Sequence, residues 1–91
     1  MLAYKGFNKD LTCRGFQYEV GKTYETETAK LGESGFHACL DPLDCLEYYS
    51  PESSVYYMVD IQDVCKNTID KTTIICGKKI TVLKKMYFED I

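Results

Sequence analysis

The clearest pattern along the chain is the run at residues 55–61, where Val55, Tyr57, Val59 and Ile61 share one face of a strand and Tyr56, Met58 and Asp60 the other. Both faces stay apolar until Asp60, which predicts a central strand covered on two sides. Residues 2–7 read as a short strand closed by the turn formers Asn8, Lys9 and Asp10. Residues 11–20 form a second strand with Gly15 inside it, where a bulge or a close backbone approach is expected. Gly21-Lys22 turns the chain, and residues 23–28 pair back as a third strand with Tyr18 and Tyr24 near the waist of the hairpin. Residues 32–35 read as loop and 36–40 as a brief strand. Residues 72–76 and 79–88 flank Gly77 as two further strands rich in Thr, Ile and Val.

One helix start stands out. Asp41 caps free amides, Pro42 suits the first helical position, and Asp44 favours the positive helix end. Leu43, Leu46 and Tyr49 fall on one α-helical face, with Leu40 stapled onto Cys45, until Ser50-Pro51 stops the helix. The expectation is a single domain over residues 1–91 of the α+β class. It would be a twisted, mostly antiparallel sheet of about six strands with one short helix, about 42–49, packed on it.

Composition narrows the function classes. The chain has 91 residues, 45% of them hydrophobic and 27% charged, and a net charge of −3. That balance does not suit a dense positive surface for nucleic acid. Arg14-Gly15-Phe16-Gln17-Tyr18 is similar to an RNA-recognition strand, but that fold needs two crossover helices and one is found. The five cysteines are spread out, never in a C-x-x-C pair, which points to reduced thiols, no metal and no cofactor. No run approaches a membrane span, and residues 1–7 lack a basic region followed by an apolar stretch, so a cytoplasmic setting is expected. Charge is polarised: residues 41–63 carry only carboxylates, whereas 64–88 carry six lysines against Asp70.

Three pieces carry a resemblance. They are Tyr4-Lys5-Gly6-Phe7 with Asp10-Leu11, the run from Cys13 through Arg14-Gly15-Phe16-Gln17-Tyr18 to Glu25, and Gly35-Phe36-His37-Ala38-Cys39 with Asp41-Pro42-Leu43 and Tyr48-Tyr49. Together they resemble an uncharacterised domain family frequent in phage and prophage proteins. The resemblance implies a mobile-element origin and a bacterial cytoplasm, and carries no reaction. A looser likeness, a strand, then Gly-Phe-His, a helix and a strand, is similar to one segment of the ADP-ribosyltransferase-like fold. That likeness implies His37, Tyr4 or Tyr18, and Glu89 as grips on a nicotinamide dinucleotide.

Two readings compete. The first is a filled, pocketless and non-enzymatic scaffold that acts on a host protein by occlusion, as a host-defence antagonist such as a CRISPR inhibitor. Its surface would be Asp44, Glu47, Tyr48, Glu52 and Tyr56, with exposed tyrosines set among carboxylates. The second is a small enzyme or nucleotide-binding domain centred on His37, with Arg14 and Cys39 in the same pocket. His37 and Cys39 project from one strand face, a spacing that suits a histidine bonded to a loop backbone better than a nucleophile pair. The molecule is expected as a monomer, or as a homodimer paired through an edge at residues 79–88.

Overall fold

Two long antiparallel strands, β6 (Ser54–Cys65) and β7 (Ile74–Met86), set the architecture. They belong to a computed structural model that describes residues 1–31, 33–65 and 73–88. Ahead of them come β1 (Leu2–Asn8), β2 (Thr12–Cys13), β3 (Phe16–Gln17), β4 (Thr23–Glu25) and β5 (Phe36–Cys39). A 3-10 helix, Pro42–Glu47, links β5 to β6. Antiparallel pairing runs β1 to β6, β6 to β7, β7 to β5 and β5 back to β1. The four strands therefore close on themselves as a barrel, β4 lies alongside β7, and β2–β3 forms a separate small ribbon.

This replaces the expected α+β sheet. The domain is β-rich, and its wall closes because β6 and β7 are long enough to serve different neighbours along their lengths. β7 meets β5 through residues such as Ile75 and Gly77, then meets β4 through Thr81, with β6 on its other side. Gly77 was expected to separate two strands, yet β7 runs straight through it. A Cβ there would lie 2.5 Å from the Gln62 carbonyl oxygen and the Ile61 side chain, so close sheet approach requires the glycine. The edge expected at residues 79–88 is narrowed: residues 79–82 meet β6 on one side and β4 or residues 21–22 on the other, whereas residues 84–86 pair with β6 alone among the described residues.

The helix expected over about 42–49 is a shorter 3-10 segment. Asp41 caps it by accepting from the Leu43 amide at 3.0 Å, as the sequence indicates. The segment between Pro42 and Pro51 is too short for α-helix propagation to offset its nucleation. A three-residue repeat then replaces the α-helical one. Cys45 turns inward at 2% exposure, whereas Leu43 and Leu46, three apart, face outward together at 53% and 40%.

Residues 11–20 fold as the β2–β3 ribbon and not as one strand. Arg14 and Gly15 have φ of 52° and 79°, the left-handed pair of a type I′ turn. β4 pairs with β7 and not with this segment, although the Tyr18 and Tyr24 rings still meet at 5.2 Å. The main core gathers Ala3, Phe7, Val59, Ile61, Ile80 and Val82. A second cluster, Cys39, Cys45 and Tyr56, fills the space under the 3-10 helix. No helix among the described residues is long and apolar enough to cross a membrane. Thr72, expected to start a strand, and Gly32, Lys66, Asp70 and Lys71 lie outside the described residues, as does Glu89.

Candidate functional site

The barrel has a weak seam. Among the described residues, β1 and β5 keep register through one pair, Tyr4 opposite Cys39. Beyond that pair β1 continues as Lys5-Gly6-Phe7, and strand alternation sets Lys5 on the same face as Ala3 and Phe7. Lys5 is 7% exposed, and its ammonium donates to the His37 carbonyl oxygen at 2.6 Å. Its side chain thus straps the seam where backbone pairing has stopped, with the Phe7 ring 5.8 Å from the nitrogen. Among the described residues no carboxylate pairs with it.

A cleft of about 410 Å³ opens over this strap, in the volume range of small-molecule sites. That finding corrects the expectation of a pocketless scaffold. One wall is aromatic: Phe16, on the β2–β3 ribbon, meets Tyr18 at 4.7 Å and Phe36 at 6.4 Å. Tyr49 also lines the cleft, and its ring packs on Gly6; a Cβ at Gly6 would lie 2.7 Å from it. The Tyr49 hydroxyl and the Cys13 thiol share a hydrogen bond at 2.8 Å. Cys39 and Cys45 also reach the cleft, and their thiols hydrogen-bond each other.

Burial tunes these groups. Desolvation pulls the Lys5 amine below its ordinary pKa, against the opposing influence of Cys13, Cys39 and Cys45. Desolvation likewise lowers His37, helped by the positive charge of Lys5, while a hydrogen bond with the Gly35 backbone works the other way. The phenols of Tyr49 and Tyr18 are raised by burial, so both stay protonated through the neutral range. Cys45, as donor to Cys39, is raised by that bond and then by burial, and Cys39 is lowered by accepting it. The floor therefore offers a desolvated amine, a neutral imidazole and a phenolic proton.

Of the residues expected at a pocket, Arg14, His37 and Cys39 all line this cleft. Arg14 is exposed at its rim. The carboxylates of Glu19 and Glu33 are paired with Lys22 at 2.5 Å and with Lys30 at 3.5 Å. The expected partner surface divides into exposed and buried positions. Tyr48 lies at the cleft, 47% exposed, and Glu47 and Glu52 are exposed. Tyr56 is buried, its hydroxyl donating to the Tyr49 carbonyl at 2.6 Å. The Asp44 carboxylate accepts from the Thr73 amide and hydroxyl, both at 2.8 Å. Lys5, Cys13, Phe16 and Tyr49 line the cleft beyond the residues expected there. The signal for Lys5 was present, as a lysine on the apolar face between Ala3 and Phe7.

Among the described residues, no group of three or more His, Cys, Asp or Glu side chains is placed to hold a metal ion. No curated protein and no solved structure matches the chain. The family model for a domain of unknown function, DUF7666, matches residues 1–91, and the chain belongs to that family.

Proposed function

We propose that this domain binds a small organic ligand in the cleft over the β1–β5 seam. The observation that carries the reading is Lys5, a buried cation at the floor of an aromatic-walled cleft with no carboxylate partner among the described residues. Desolvating a charge is costly, and a ligand oxygen placed there adds a second acceptor beside the His37 carbonyl. Phe16 and Tyr49 flank a flat or aliphatic body, and the Arg14 fork at the rim takes an anionic group. Benzoate titrated into 15N-labelled protein tests this. Saturable amide shifts concentrated at Lys5, Gly6, Gly35 and His37 support it, and their absence contradicts it.

A second reading is favoured by a specific observation beside the cleft. Leu40, Leu43, Leu46 and Tyr48 are 40–53% exposed around the 3-10 helix, flanked by Glu47 and Glu52. Apolar side chains ringed by carboxylates suit a protein partner. A host protein in a bacterial cytoplasm, met by a phage-encoded antagonist of host defence such as a CRISPR inhibitor, is that reading in its specific form. Capture from bacterial lysate that is lost on Leu43→Glu and Leu46→Glu substitution, with the melting temperature unchanged, supports it.

A further inference from the structure

We infer that Lys5 is a covalent anchor, its Nζ condensing with an aldehyde or ketone of the ligand to form an imine inside the cleft. The inference rests on the ligand-binding reading above and names its substrate class, a carbonyl compound.

Three features of the site point to this chemistry. Lys5 lines the cleft yet is 7% exposed, and its nitrogen bonds the carbonyl of His37, a second lining residue. Its charged form is held by a backbone carbonyl and sulfur neighbours, without a carboxylate among the described residues to lock it as an ammonium. The titratable groups facing it are Cys13, Cys39, Cys45 and His37, with the Tyr49 hydroxyl bonded to Cys13. Desolvation favours the neutral amine, which is the nucleophilic form. The anchor also matches the shape of the site: the carbonyl end meets Lys5, the body lies between Phe16 and Tyr49, and an anionic substituent meets Arg14.

The step balances without an oxidant. The amine lone pair attacks the carbonyl carbon, and the amine proton passes to the carbonyl oxygen to give a carbinolamine. The Tyr49–Cys13 pair stands in the same cleft as a proton donor for the departing hydroxyl. Loss of one water leaves the imine, and hydrolysis by one water returns amine and carbonyl.

The probe is 4-carboxybenzaldehyde, added to the full chain near neutral pH with sodium cyanoborohydride and followed by peptide mapping. The expected result is a secondary amine on Lys5, formed ahead of any on the exposed Lys78, Lys84 and Lys85, because desolvation leaves more of the Lys5 amine neutral. Excess benzoate protects Lys5, and Lys5→Arg, which keeps the cation, abolishes that adduct. Should Lys5→Arg fail to fold, the map of the unsubstituted protein decides alone. Labelling confined to exposed lysines overturns the anchor, and if benzoate still shifts the cleft amides the ligand-binding reading stands without it. Labelling confined to exposed lysines with no benzoate shifts overturns both.

Discussion

The Lys5 ammonium donates to the backbone carbonyl of His37 at 2.6 Å, across strands whose register rests on the pair Tyr4 and Cys39. A side chain thus does at the seam what backbone amides do elsewhere in the barrel. The cost is a desolvated cation, and the consequence is an amine at the floor of a cleft.

Lys5→Met should leave unfolding stability within about 1 kcal/mol of the parent, because loss of the hydrogen bond is offset by removal of a buried charge. Urea unfolding measures this. A collapse in stability would make Lys5 chiefly a structural strap.

Gly6→Ala should destabilise by about 1–3 kcal/mol, since its Cβ would lie 2.7 Å from Tyr49 and force that ring away. The same variant should break the contact between Tyr49 and Cys13. Thermal unfolding, together with the hydroxyl environment of Tyr49 by NMR, reads both effects.

Tyr56→Phe should cost about 1–2 kcal/mol, because the Tyr49 carbonyl loses the hydroxyl that donates to it at 2.6 Å. Glu52→Gln, at an exposed position, should change stability by less than about 0.5 kcal/mol. Equal effects in the two variants would contradict the placement of Tyr56 in the second cluster.

His37 gives the molecule an acid-side dependence. Its folded pKa lies below the ordinary histidine value, so the unfolded chain binds the proton more readily. Stability from this group is complete above about pH 6.5 and falls as pH drops from there through the folded value. In His37→Gln the urea midpoint should vary less between pH 7.5 and pH 5.5 than in the parent.

The sequence showed strand content and the Asp41-Pro42 cap plainly, because period-two alternation and capping are local. It did not show closure of the barrel, since pairing of β5 with both β1 and β7 depends on residues far apart in the chain. Gly77 read as punctuation because a glycine needed for close approach looks the same in sequence as one needed for a turn. His37 and Cys39 were legible as neighbours because alternation sets them on one strand face, whereas Arg14 comes to the cleft through the β2–β3 turn, which a single strand over 11–20 did not contain. Tyr56 was misjudged as exposed, since the 3-10 helix that covers it has a different periodicity from the α-helix expected there. Lys5 lies inside the Tyr4-Lys5-Gly6-Phe7 motif, and its place on the row of Ala3 and Phe7 is the kind of local conflict that marks functional sites.

A 13C-ε-labelled lysine spectrum followed against pH reports most directly on whether Lys5 is a desolvated amine open to a ligand. One resonance, absent in Lys5→Arg, should titrate at lower pH than the remaining lysines and move when benzoate fills the cleft. A Lys5 resonance that titrates together with the surface lysines and ignores benzoate would contradict the account.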